Sequence, residues 1–112
     1  KKKRRMQTTS NKKESFGEII RSSTPVLVDF SAEWCGPCRM MKPVLEELHS
    51  RMGDKVRILK IDIDKSQAAA QAYQVQSVPT LLLFQHGKVL WRQSGVQPAA
   101  HLQKVIEQYI TN

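Results

Sequence analysis

Apolar positions along the 112-residue chain recur at two spacings, and the alternation between them divides the chain into helices and strands. Phe16, Ile19 and Ile20 share one side of a helical wheel, and Asn11 followed by Glu14 resembles a capping box opening that helix. Thr24-Pro25 closes it, because the residue before a proline is pushed towards extended conformations. Residues 25–32 then read as a strand whose apolar run suits burial on both faces. Met41, Val44, Leu45 and Leu48 return to the helical period within a segment from Pro37 to Met52. Pro43 removes one hydrogen bond there and should kink the axis, and Gly53 is placed to cap the end.

Val56–Ile63 alternates as a second central strand, and Ser66–Tyr73, rich in alanine, predicts a short helix. Leu81–Phe84 and Val89–Trp91 read as strands joined through His86-Gly87, a hairpin signal. A last helix begins near Pro98 and should bury Leu102, Val105, Ile106 and either Tyr109 or Ile110. Strands covered by helices on both sides give an α/β class, a three-layer α/β/α sandwich around a central mixed sheet. The pattern assigns residues 11–112 to one domain and residues 1–10 to a basic, polar tail.

Charge changes this picture less than its total implies. Of the formal +8, Lys1, Lys2, Lys3, Arg4 and Arg5 supply five units, leaving 13 basic and 10 acidic residues over 6–112. Such a run is usually a solvated tail, so no nucleic-acid partner is expected. No stretch approaches the apolar length of a membrane span. The basic start is like the opening of a signal peptide, but polar Gln7–Asn11 follows instead of an apolar stretch. Because position 1 is Lys rather than Met, a segment upstream is expected to have been removed.

The chemistry concentrates in Trp34-Cys35-Gly36-Pro37-Cys38, which contains both cysteines of the chain. Cys35 falls where a strand hands over to a helix N-terminus, and unpaired backbone N–H groups and the helix dipole there favour a thiolate. Pro37 has no N–H to lose and fits the first helical turn. A zinc site would need about four ligands, and His49, His86 and His101 form no spaced pair to supply them. A structural staple closing so short a loop would remove little unfolded-chain entropy. A reversible dithiol within a βαβ-like pattern is favoured over both.

From about Glu14 onward the chain resembles the thioredoxin family. Val28-Asp29-Phe30 precedes Ala32–Cys38, Pro43 lies inside the following helix, and Lys60-Ile61-Asp62 occupies a central strand. Val78-Pro79-Thr80, Gly87 and Gly95 follow in order at family spacing. The resemblance implies that Cys35 attacks a substrate disulfide and that Cys38, expected to be the more buried, resolves the mixed disulfide. It makes Asp29, an acid in an apolar strand, the acceptor of the Cys38 proton, with Lys60 tuning its charge. The alternative for Asp29 is a locally bonded acid at the solvent end of the strand.

Read by itself, Pro79 is an ordinary trans proline at a strand start; the resemblance implies a cis bond that sets Val78 beside Cys35. Trp34, Gly36, Pro37, Val78, Pro79, Gly95 and Val96 would then bind substrate around the sulfur. Met40 and Met41 are expected in the core and the three histidines at the surface. Two departures from the family stand out. Ser31 replaces a commonly aromatic residue, and only Met6–Thr9 could form the usual first edge strand.

The implied function is protein disulfide reduction without a bound cofactor. The expected partners are protein disulfides and an NADPH-dependent thioredoxin reductase, for a monomer in the cytoplasm, or the periplasm if a signal or anchor preceded Lys1. A thiol oxidant or isomerase in an oxidising compartment, and a non-catalytic subunit of a larger complex, are the competing readings.

Overall fold

A computed structural model describes residues 14–110 of the chain. The basic tail, the edge strand expected at Met6–Thr9 and the cap expected at Asn11 lie outside these residues. Among the described residues five α-helices and four strands follow in the order α1 (Phe16–Ile20), β1 (Val26–Ser31), α2 (Gly36–Arg39), α3 (Met41–Met52), β2 (Arg57–Asp62), α4 (Gln67–Ala72), β3 (Thr80–Gln85), β4 (Lys88–Ser94) and α5 (Ala99–Tyr109), with a 3-10 turn at Gly53–Lys55. The capping box belongs to Ser15 and Glu18: Ser15 Oγ accepts the Glu18 N–H and Glu18 Oε1 accepts the Ser15 N–H. Glu14 precedes the helix and pairs with Arg57 at 3.0 Å.

Four strands form a mixed sheet in the order β2-β1-β3-β4, with β1 parallel to β2 and antiparallel to β3, and β3 antiparallel to β4. Because side chains alternate across a strand, β1 sends Leu27 to one face and Val26, Val28 and Phe30 to the other. Leu27, Leu81 and Leu83 meet Met41, Leu48 and Leu102 beneath α3 and α5. Val26, Val28, Phe30, Leu82 and Phe84 meet Ile19 and Ile20 on the opposite face. Fully burying each such side chain contributes about 1.5–3 kcal/mol, so the expected three layers are held by two separate cores. Phe16 packs edge-on against Phe30, Tyr73 and Phe84, closing the second core.

The long helix expected from Pro37 to Met52 is divided in two at Met40. Pro43 has no N–H to offer the Arg39 carbonyl four residues earlier, and its ring crowds that carbonyl. The division changes the fate of a side chain. Met41 is buried as expected, but Met40 sits at the break and is 62% exposed. Within α3, Leu48 is fully buried while Val44 and Leu45 only flank the core. β2 does not alternate cleanly, since Ile58, Leu59, Ile61 and Asp62 are all half-buried. In α5, Leu102, Val105 and Ile106 are buried and Ile110 packs against them, leaving Tyr109 exposed.

β4 runs longer than the three residues expected of it. It joins β3 through His86 (φ 54°) and Gly87 (φ 79°), a two-residue turn with positive φ at both positions. Their N–H groups donate to the Ser22 and Ile20 carbonyls, tying this turn to the end of α1. The turn lies at one end of the sheet. The carboxyl ends of β1 and β2 and the start of β3 assemble the site at the other.

Candidate active site

β1 ends at Ser31, and the turn that leaves it returns the Cys35 N–H to the Ala32 carbonyl at 3.2 Å. Cys35 stays extended (φ −91°, ψ 114°) and forms the N-cap of α2, so its Sγ accepts the Cys38 N–H at 3.1 Å. A sulfur that accepts a backbone N–H is stabilised as a thiolate when the disulfide opens. Because α2 has only four residues, this one N–H rather than a long summed dipole carries that effect. Cys35 and Cys38 are joined as a disulfide with their Cα atoms 5.3 Å apart.

Cys38 was expected to be the more buried of the two. Both cysteines are 4% exposed, packed with Ala32 against Ile63 and Val78. With the disulfide closed, each sulfur covers the other, so residue exposure does not separate them. Their surroundings do. Cys35 Sγ lies 3.7 Å from the carbonyl oxygen of the half-buried Val78. Cys38 sits inside the first turn of α2.

The Val78–Pro79 bond is cis. Pro79 is buried and its carbonyl accepts the Gly95 N–H at 2.8 Å, which brings the turn after β4 alongside. Gly95 has φ 92°, a conformation that favours glycine. Trp34, Gly36, Pro37 and Val96 are exposed and Val78 and Gly95 are half-buried. Of the expected binding residues only Pro79 is buried; the other six are at least partly accessible.

Trp34 is 68% exposed, yet its indole is not left loose: Nε1 donates to Asp64 Oδ2 at 2.8 Å. Asp64 is presented by a turn after β2 in which Asp62 Oδ1 accepts the N–H groups of Asp64 and Lys65. Lys65 pairs with Glu33 at 3.2 Å, a second link between the two loops. Sequence reading missed Asp64, although an Asp-x-Asp at a strand end is a local turn signal.

Asp29 is 1% exposed, so the alternative of an acid at the solvent end of the strand is excluded. It shares the parity of Leu27 and lines a cavity of about 680 Å³ between α3 and β2, with Lys42, Leu45, His49 and Lys60. Its Oδ1 has no hydrogen-bond partner among the described residues. Burial pushes the carboxyl up to about 6, and the Lys60 charge acts in the opposite direction. Lys60 is exposed and pairs in register with Asp29. His49, His86 and His101 are exposed, as expected. Ser31 is buried, which puts a small side chain in the interior where the family resemblance leads one to expect a ring.

The family model of thioredoxin matches residues 7–108. A thioredoxin-like protein of Synechocystis is 46% identical over 97 residues, covering 86% of this chain and 92% of that one. The thioredoxin of Bacillus subtilis is 48% identical over 85 residues, covering 76% and 82% respectively. A solved structure of a mutant thioredoxin from Halobacterium salinarum superposes with a TM-score of 0.77 at 40% identity, covering 86% of this chain and 83% of that one. A sulfur pair held between a helix cap and the Val78 carbonyl has the geometry for thiol–disulfide exchange, and this chain belongs to the thioredoxin family of protein disulfide reductases.

Proposed function

We propose that Cys35 is the attacking thiolate, Cys38 the resolving thiol and Asp29 the acceptor of the Cys38 proton. The Cys35 thiolate attacks one sulfur of a protein disulfide, forming a mixed disulfide and releasing the other substrate sulfur as a thiolate. Cys38 then gives up its proton and attacks Cys35 Sγ, which breaks the mixed bond and frees the second substrate thiolate. Two substrate sulfurs are reduced, and the Cys35–Cys38 pair is oxidised. The observation that carries the assignment is the position of Cys35 Sγ, between the Cys38 N–H at 3.1 Å and the Val78 carbonyl at 3.7 Å.

Asp29 suits its role because a carboxyl near pH 6 can hold and release a proton at neutral pH. No hydrogen bond joins it to Cys38 among the described residues with the disulfide closed. The exposed Lys60 beside it favours the ionised form. Trp34, Gly36, Pro37, Val78, Gly95 and Val96 bind an extended segment of the substrate, whose backbone pairs with Val78 as a short strand. Among the described residues the Val78 N–H has no partner, which leaves it for that role.

In this reading the chain works as a monomer and an NADPH-dependent thioredoxin reductase regenerates its dithiol. The cytoplasm is the matching compartment. Among the described residues no helix is long and apolar enough to cross a membrane. Two serine variants test the assignment against a protein disulfide. Cys35→Ser should abolish reduction, whereas Cys38→Ser should accumulate mixed disulfides that dissolve in dithiothreitol. Trapping by Cys35→Ser alone would reverse the two roles.

A further inference from the structure

Three hydroxyls close a ring around the peptide that faces Cys35. Thr80 Oγ1 lies 2.6 Å from the Ser77 carbonyl oxygen, which can only accept, so the single Thr80 hydroxyl proton is committed there. Thr80 Oγ1 is also 3.0 Å from Ser94 Oγ, and with its own proton spent it must accept the proton of Ser94. Ser94 Oγ in turn accepts from Ser77 Oγ at 3.1 Å. Proton counting thus fixes one direction around the ring, from the Ser77 hydroxyl through Ser94 and Thr80 back to the Ser77 carbonyl.

The ring sits where two segments of the site meet. Ser77 is the residue before Val78, and Thr80 is the residue after Pro79. Ser94 is the register partner of Thr80 at the end of β4, and Gly95 follows it. Beside the ring, the Gly95 N–H holds the Pro79 carbonyl at 2.8 Å, and Gln97 Nε2 donates to the Ser94 and Gly95 carbonyls at 3.3 and 3.4 Å. The carbonyls on both sides of Val78 are therefore consumed internally. Among the described residues the Val78 N–H is left without a partner, and the Val78 carbonyl faces Cys35 Sγ.

We propose that Ser77, Thr80 and Ser94 act as a positioning ring that presents the Val78 backbone to polypeptide substrates, and that Ser94 thereby favours polypeptide over small-molecule disulfides. This rests on the reading that substrate backbone pairs at Val78. Ser94 touches no reacting atom and acts through the loop it fastens. Opening the ring lets residues 77–80 depart from the alignment that backbone pairing needs, while the Cys38 N–H, which lies in α2 and not in this segment, still holds Cys35 Sγ. A disulfide without a peptide backbone has nothing to lose.

The test compares a disulfide-linked peptide with dithiobis(nitrobenzoate), both reduced by the full chain. Ser94→Ala should raise KM for the peptide by roughly fivefold, on the scale of one lost hydrogen bond, with kcat within about twofold. Its rate with dithiobis(nitrobenzoate) should not change. Ser94→Thr retains the hydroxyl and should restore the wild-type KM. Because either deletion opens the same ring, Ser77→Ala should reproduce the defect, and the double variant should be no worse than either single one.

Equal losses on both substrates, no loss on the peptide, a failed threonine rescue or multiplicative single effects would each overturn the ring. A wild-type protein that shows no preference for the peptide would instead refute backbone pairing at Val78. Ser77 and Ser94 are both exposed, so folding of these variants is not at issue, and their melting temperatures verify it.

Discussion

Asp29 and Lys60 are register partners on neighbouring parallel strands, yet no hydrogen bond or ion pair joins them, and Asp29 Oδ1 has no partner among the described residues. Both line the same cavity, so the ammonium acts on the carboxyl through space. Burial wins that contest and leaves the carboxyl at about 6. A group held this way destabilises the fold when it ionises.

Asp29→Asn should therefore stabilise the protein at neutral pH. In the unfolded chain the carboxyl titrates at about 3.9, and in the folded chain at about 6. Below the first value both states are protonated and there is no penalty. As pH rises between the two, the unfolded state sheds its proton first and wild-type stability falls, levelling once the folded pKa is passed. A shift of two units corresponds to about 3 kcal/mol, so urea denaturation should show a gap of about 2–3 kcal/mol opening between pH 4 and 6. The asparagine inherits a poorly partnered oxygen, but that cost is the same at every pH and cannot imitate the slope. The variant should also resolve mixed disulfides more slowly.

Lys60→Gln should move the same titration upward. The lysine charge lowers the Asp29 pKa against the larger effect of burial, so its removal leaves burial unopposed. Carboxyl NMR of Asp29 across pH 4–8 reads the change directly. A titration that stays in place would show that solvent screens Lys60 from the carboxyl.

Leu102→Ala should separate the core from the chemistry. Leu102, on α5, is fully buried with Leu48 and Leu81, far along the chain from the cysteines. Removing such a side chain costs about 2–5 kcal/mol through lost burial and the cavity left behind. The urea midpoint should fall accordingly, with disulfide reduction unchanged at temperatures where the variant remains folded.

Much of this was legible in the sequence because the informative residues carry strong local constraints. A buried, mostly apolar strand, a proline between two cysteines and a His-Gly turn each leave few alternatives. The carboxyl in β1 was visible for the same reason, as the one charge in a run that had to be buried. What escaped notice depends on where the chain returns. Pro43 foretold a kink, but not that the break would fall at Met40 and leave that side chain exposed. Ser77, Thr80 and Ser94 look like ordinary loop and strand residues until β3 and β4 pair in register. The equal burial of the two cysteines was likewise beyond reach, since it follows from their being joined.

Asp64 belongs to that second group, and its contact with Trp34 yields the remaining prediction. The indole donates to the carboxylate at 2.8 Å while most of its ring stays in water. One hydrogen bond then holds a large apolar plate over the motif, contributing about 0.5–1.5 kcal/mol of orientation. Asp64→Leu should release the ring. In a Trp91→Phe background, where Trp34 is the sole tryptophan, fluorescence anisotropy should fall, and KM for a protein disulfide should rise with little change in kcat. Asp64→Asn keeps an oxygen that can accept the indole N–H and should preserve both readings. If leucine and asparagine lowered the anisotropy equally, the carboxylate charge rather than the hydrogen bond would be what holds Trp34.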